Sequence, residues 1–371
     1  MLTVLHVGKF YPPVPGGMER VVESLCLATR ERLDSRVLAV HTGPGTIEEV
    51  VNGVPVTRVG TWGAAGSVPV APALASHLRR ARADVMIVHE PNPWALLSYL
   101  VARPRVPLAM WFHSEVVRPR LQYRAFYEPV AAPVYRSARR IAVSSPSLGE
   151  RAAALQAHRS RVSVIPFGID ADAWAPSGDV RPRAEDIRGA AEGPIVLFAG
   201  RHVSYKGVDV LIRAVRRLPV TLTIAGDGPM RATWERISRA EPTRAMIQFI
   251  GEVDDRELKA QMHACDVFVL PSVTRAEAFG FVQLEAMACG KPVVSTSVQS
   301  GVGWVNRHDE SGLVVPPGDV EALAAAVGRL ISDAELRARL GAAGAARVRR
   351  DFTLPMMADR FVSFCHEVAA S

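Results

Sequence analysis

At 371 residues the chain is too long for one ordinary hydrophobic core, because single cores stop growing near ~250–300 residues, so two domains are expected. An apolar fraction of 49% against 22% charge excludes a disordered or fibrous chain. The net charge of +7 is one-sided: residues 1–172 carry 20 Lys and Arg against 13 Asp and Glu, and the remainder 24 against 24. A basic first half suits nucleic acid, anionic lipid or a phosphorylated substrate, or reflects arginine-rich composition alone. Cys26, Cys265, Cys289 and Cys365 are scattered, without metal-ligand spacing, and read as reduced packing residues. The N-terminus lacks a signal-peptide pattern, and no apolar run approaches the ~18 residues that span a bilayer. The chain is therefore expected in the cytoplasm, free or peripheral on the inner face of the cell membrane.

In chain order, short β-branched apolar runs alternate with amphipathic helical runs, the pattern of parallel strands joined by crossovers. Strands are expected over Thr3–Gly8, Arg36–Gly43, Ala83–Glu90, Pro107–Ser114, Arg140–Ser145 and Val162–Gly168, with helices such as Met18–Leu33 and Leu148–Leu155 between them. Residues 171–192 are rich in Pro, Gly, Ala and charge without a sustained apolar period, and read as a linker. The series restarts with Ile195–Gly200, Val220–Gly226, Met246–Gly251, Asp266–Ser272 and Lys291–Ser297. Beyond Val320 the chain reads as mostly helical, and Leu354–Ala370 has an apolar stripe that needs a surface to cover. The fold class is α/β, with two doubly wound parallel-sheet domains over 1–170 and 193–352.

Three loops combine residues suited to a phosphate-bearing ligand. The strongest runs from Glu277 to Glu285 and places Gly280 at a helix start, where the backbone N–H groups through Phe281 and Val282 can meet an anion. Glu277 can accept from sugar hydroxyls and Glu285 from a ribose diol; otherwise both are solvated helix-terminal acids. The second loop follows Ile195–Gly200 and holds Arg201 and Lys206, a fork and a point charge suited to a diphosphate, or two ordinary surface cations. The third, Gly8–Glu19, carries three prolines in place of the tight glycine turn of a dinucleotide site, which disfavours NAD. Its Gly16 and Gly17, just before a helix, present bare N–H groups or form a plain turn.

These loops, with the turn Pro15–Glu19, the histidine of Phe112–Glu115, the segment Val164–Asp170, the turn Ala225–Pro229 and the spacing of Glu277 to Glu285, make the chain resemble glycosyltransferase family 4 over nearly its whole length. That family comprises retaining nucleotide-sugar transferases of GT-B fold. The resemblance implies two Rossmann-like domains facing a cleft, with helix 353–370 returning to the first. It implies that Arg201 and Lys206 bind the donor pyrophosphate. Glu277 and the backbone of Phe279, Gly280 and Phe281 would hold the transferred sugar, and Glu285 the ribose. Gly16 and Gly17 would close on the donor, and His113 would lie beside the sugar, unless it is a satisfied buried histidine. His113, Glu277, Arg201 and Lys206 form the implied catalytic set, and the fixed cations replace a metal. Asp170-Ala-Asp172 matches a metal-binding signature of a different transferase fold but lacks a phosphate loop, so no metal or cofactor beyond the sugar nucleotide is expected.

The loop Gly251–Asp255, with Val253 and Asp255, is the expected base-reading surface. A carboxylate there suits guanine and favours GDP-mannose over a UDP-sugar, although Asp254 with Glu257 is also a capping box that needs no ligand. Arg118, Arg120 and Arg124, interleaved with aromatic residues, suit an anionic membrane or a polyprenyl-linked saccharide acceptor, or else form a solvated helix face. No nucleic-acid module is recognisable. The expected activity is transfer of a hexose, mannose favoured, in bacterial polysaccharide or glycolipid synthesis. The alternatives are a UDP-sugar-dependent transferase, or an epimerase or phosphorylase of the same fold.

Overall fold

Runs of four to seven apolar, β-branched residues are too short for buried helices, and in the computed structural model they become strands. The structure describes residues 1–14, 16–65, 68–115 and 127–371. The chain divides into two units, Met1–Phe167 with Leu354–Ser371, and Gly168–Thr353.

In the first unit the strands are β1 (Leu2–Val7), β2 (Leu33–His41), β3 (Thr46–Val51), β4 (Val54–Gly60), β5 (Gly63–Ala65), β6 (Val68–Val70), β7 (Val85–Glu90), β8 (Leu108–Phe112), β9 (Arg140–Val143) and β10 (Val162–Val164). Eight of them form one sheet in the order β10-β9-β8-β7-β1-β2-β4-β3, parallel except at the β3–β4 edge. From β1 the chain moves outward through β2 and then restarts on the other side at β7. The switch point therefore lies between β1 and β7, where open α/β sheets gather ligands at their C-terminal ends. The helix Gly17–Thr29 ends short of the expected Leu33 because Leu33 begins β2. The expected helix Leu148–Leu155 is a short α-helix, Pro146–Arg151, followed by 3-10 turns over Ala153–Arg161. The helix Leu354–Ala370 belongs to this unit: it buries Met357, Phe361, Phe364 and Val368, its Asp359 pairs with Arg32 at 2.6 Å, and its Val368 carbonyl accepts from Arg139 Nη1 at 2.9 Å.

In the second unit the strands are β11 (Ile195–Ala199), β12 (Thr221–Ala225), β13 (Met246–Gly251), β14 (Val267–Leu270), β15 (Val293–Thr296) and β16 (Gly312–Val315), all parallel, in the order β13-β12-β11-β14-β15-β16. Here the switch point lies between β11 and β14. The stretch read as a linker, 171–192, contains a helix, Val180–Ala190, packed within this unit. Its apolar stripe is only Val180 and Ala184, too thin for a periodicity reading. Ion pairs hold the rest: Arg183 forks onto Glu257 at 2.8 and 3.1 Å, Arg188 meets Asp266, and Asp179 before the helix meets Arg256 at 3.0 Å.

Candidate active site

The loops after β11 and β14 flank the switch point of the second sheet, and they are tied to each other before any ligand is considered. Gly207, left-handed at φ 65°, ends the turn Ser204–Lys206 and caps the helix Val208–Val215; a Cβ there would fall 2.2 Å from the Pro271 carbonyl oxygen. Val273 N–H donates to the Tyr205 carbonyl at 2.8 Å across the same junction. The neighbouring loop after β12 is equally close: a Cβ on Gly226 would sit 2.2 Å from the Gly200 carbonyl oxygen, and His202 N–H donates to the Asp227 carbonyl at 2.7 Å. Glycine is what lets these strand-end backbones touch.

This junction brings Lys206 and Glu277 together. Lys206 Nζ lies 2.6 Å from Glu277 Oε2, and the Ser272 hydroxyl donates to the same oxygen at 2.9 Å. Both residues are buried, Lys206 at 9% and Glu277 at 7% exposure. Glu277 is thus not a solvated acid. Burial, the largest single influence, pulls the Lys206 ammonium down, but the charge of Glu277, the neighbouring Tyr205 and the hydrogen bond to Glu277 together hold the group above its ordinary value.

Three residues further on, Gly280 (φ 71°) is the N-cap of the helix Phe281–Ala288, with no side-chain cap. Gln283 Nε2 donates back to the Phe279 carbonyl at 2.6 Å, and Phe279 is fixed edge-on against Trp304 and Phe352 at 6.4 and 6.1 Å. Phe281 and Val282 form the first turn of the helix, and Glu285 lies one turn further, 2% exposed. Arg201, Lys206, Glu277 and the helix start Gly280–Val282 therefore occupy adjoining loops at one sheet edge, with Arg201 exposed. Val253 and Asp255 follow β13, two strands away; Asp254 caps the helix Asp255–Ala264 through the Glu257 N–H at 2.8 Å, and Asp255 is exposed. Asp170 caps a turn, accepting from the N–H groups of Asp172 and Ala173 at 3.1 and 3.3 Å.

In the first unit, Arg58 anchors the first loop by donating to the Tyr11 carbonyl at 3.0 Å. The helix start at Gly16 is not bare: a Cβ there would fall 2.0 Å from Glu19 Oε2, so the Glu19 carboxylate occupies the space an anion would need over Gly16. The backbone beside Gly17 is open. Glu19 sits at the third helical position, where an acid can fold back on its own helix start, and that pattern was legible in the sequence. Arg118, Arg120 and Arg124 lie outside the described residues.

His113, just past β8, is buried in a row of three histidines that the sequence reading missed. His6 Nδ1 lies 3.0 Å from His89 Nε2, and His89 Nδ1 lies 2.9 Å from His113 Nε2. The rings stack beside Trp111, and Phe361 of the C-terminal helix lies next to His6. Burial drives all three away from protonation: His6 and His113 fall to about 3, and His89 well below its usual value. The signal lay in the alignment of three strand ends, His6 of β1, His89 of β7 and His113 after β8.

Next to His89, Glu90 is fully buried, with the Tyr127 hydroxyl donating to Oε2 and the Asn92 N–H donating to Oε1 at 3.0 Å. Burial raises its carboxyl from 4.5 to about 7. An acid raised in this way binds more protons folded than unfolded, so its contribution to stability is complete below about 4.5 and lost as pH rises through about 7. The three lowered histidines act in the opposite sense, costing stability as pH falls. The difference in unfolding free energy between the wild type and Glu90→Gln should therefore change by roughly 3 kcal/mol across that window, Glu90→Gln gaining relative to the wild type as pH rises. Parallel pH profiles for the two proteins would contradict this assignment.

Two doubly wound parallel sheets with their loops gathered at switch points define the GT-B architecture. The family model described as "Glycosyltransferase Family 4" matches residues 15–173, and that described as "Glycosyl transferases group 1" matches residues 181–347. The phosphatidyl-myo-inositol mannosyltransferase of Mycobacterium leprae is 31% identical over 385 residues, covering 99% of this chain and 98% of that one. The D-rhamnosyltransferase WbpZ of Pseudomonas aeruginosa is 29% identical over 356 residues, 95% of this chain and 92% of that one. Among solved structures, the sucrose-phosphate synthase of Thermosynechococcus elongatus superposes with a TM-score of 0.79 over 100% of both chains at 22% identity, a likeness of fold. The chain belongs to glycosyltransferase family 4.

Proposed function

We propose that this glycosyltransferase moves a hexose, mannose in first place, from a nucleotide-diphosphate sugar to a saccharide or lipid-linked acceptor in bacterial polysaccharide or glycolipid synthesis. The observation that carries the reading is the buried Lys206–Glu277 pair beside the uncapped helix start at Gly280, all at the switch point of the second sheet. Arg201, Lys206 and the N–H groups at the helix start stabilise charge growing on the departing diphosphate, the kind of preorganised electrostatic help that is often the largest catalytic term. Glu277 and the backbone of Phe279–Phe281 hold the sugar, and Glu285 the ribose. Val253 and Asp255 read the base, with GDP preferred to UDP. The first unit contributes Gly17 and His113, and Gly16 once Glu19 has moved aside. Arg118, Arg120 and Arg124 serve the acceptor or an anionic membrane on the cytoplasmic side.

The acceptor hydroxyl attacks from the face the diphosphate leaves and hands its proton to the departing phosphate. Configuration is then retained with no protein nucleophile and no metal. Support for mannose comes from the name of the mycobacterial relative. The Pseudomonas relative carries a different hexose name, which makes the sugar the point to test first.

The test is release of nucleotide from GDP-mannose and UDP-glucose, with and without added saccharide acceptor, and with a chelator present. Arg201→Ala, at an exposed position, should unfold at the wild-type temperature yet lose ~10²-fold in turnover. Equal turnover in Arg201→Ala would sink the reading. Product formed without acceptor would favour an epimerase, and a requirement for inorganic phosphate a phosphorylase.

A further inference from the structure

The edge of the first sheet opposite its switch point carries a groove of about 810 Å³ lined by Arg36, Arg79, Arg82, Arg103 and Arg105, with Asp84 its only acid. These residues surround the starts of β1, β2, β7 and β8. β8 runs five residues from this edge to His113, about 17 Å, so a ligand here lies a full strand length from the histidine row. Arg36 is compensated by Asp34 at 2.8 Å. Asp84 is occupied in part, accepting from the Thr3 N–H at 2.8 Å. Arg79 donates weakly to the Val101 carbonyl at 3.4 Å, and among the described residues Arg79, Arg82, Arg103 and Arg105 meet no carboxylate. Elsewhere Arg183, Arg188 and Arg231 each meet a carboxylate.

Gathering four uncompensated guanidinium groups around one concavity raises the energy of the free protein through mutual repulsion. Arg103 adds a local cost: it is the C-cap of the helix Pro93–Ala102 in the left-handed conformation, φ 47°, where glycine is the low-energy residue. Leu97 and Val101, one turn apart on that helix, are 39% and 57% exposed, and the Val101 carbonyl is the one that accepts from Arg79.

We infer that this groove is a second anion site, separate from the sugar-transfer site, and that it takes a phosphate-bearing group of two or more negative charges. The forked guanidinium groups match phosphate oxygens in pairs. The group arrives either as a free diphosphate or as the headgroups of an anionic lipid surface, in which case Leu97 and Val101 would meet the acyl boundary.

The test uses the full chain and the charge-reversal variant Arg82→Glu/Arg105→Glu, both positions being exposed. Inorganic pyrophosphate is titrated by calorimetry, and vesicles of phosphatidylglycerol and phosphatidylcholine are sedimented beside vesicles of phosphatidylcholine alone. Wild type should bind at least one anionic probe, with affinity falling as salt rises, and the variant should bind it about 30-fold or more weakly. Loss of pyrophosphate binding identifies a free anion, and loss of vesicle binding alone identifies lipid headgroups. The inference is overturned if neither probe binds wild type, or if whatever binds wild type binds the variant equally. Nucleotide release from a soluble donor should be unchanged in the variant, so this result stands apart from the test of sugar transfer.

Discussion

Lys206→Met should cost ~3–5 kcal/mol of stability, because it leaves the Glu277 carboxylate buried and without its cation. Glu277→Gln should cost a similar amount by stranding the ammonium. The double variant Lys206→Met/Glu277→Gln removes both charges and should recover most of that loss, since a buried pair contributes little net stability while half of one is costly. Turnover should behave differently. If both groups act on the donor, all three variants lose ~10²–10³-fold and the double variant recovers none of it. Denaturant unfolding and nucleotide release on the same four proteins separate the two effects. A double variant that regains activity with stability would reduce the pair to a structural tie.

Gly207→Ala should be nearly as damaging without touching a charge. Its left-handed φ of 65° makes any side chain strained, and the added Cβ would lie 2.2 Å from the Pro271 oxygen and 2.7 Å from Val273 Cγ1. Strain and overpacking together should cost at least ~3 kcal/mol, roughly 6–12 °C in Tm for a domain of this size. Gly318→Ala is the matched control: φ is 79°, yet nothing lies within 4 Å of the added Cβ, so only the conformational cost of ~1 kcal/mol remains. Equal losses at the two positions would show that the contact between the β11 and β14 loops carries no strain of its own.

Most of the fold was legible because both sheets are parallel and buried, and such strands read as continuous apolar runs. What escaped the reading was polar or short. The β3–β4 hairpin turns through Asn52 and Gly53, both at positive φ, a signal present in the sequence but preceded by a strand, β3, that is exposed along nearly its whole length and so shows no apolar face. The helix Val180–Ala190 is held by ion pairs to residues about 75 positions away, which no local window contains. At the site, the loop residues were legible as residue types at strand ends, but their partnerships were not. Lys206 and Glu277 lie 71 positions apart and meet only because β11 and β14 are neighbours. Glu19 over Gly16 was within reach of spacing arguments; the histidine row required the strand order.

That row has one property its separate distances conceal. A neutral imidazole carries one proton, and two hydrogen bonds join the three rings, so their protons must all sit on Nε2 or all on Nδ1. In the first setting the Nδ1 of His113 is a bare acceptor at the strand end; in the second it is a donor. The other end of the row, His6 Nε2, has no hydrogen-bond partner among the described residues and lies in the apolar surroundings of Phe361. Whether the strand end offers a lone pair or a proton is thus decided two strand spacings away, about 10 Å into the core, by which form of one nitrogen is cheaper to leave dry.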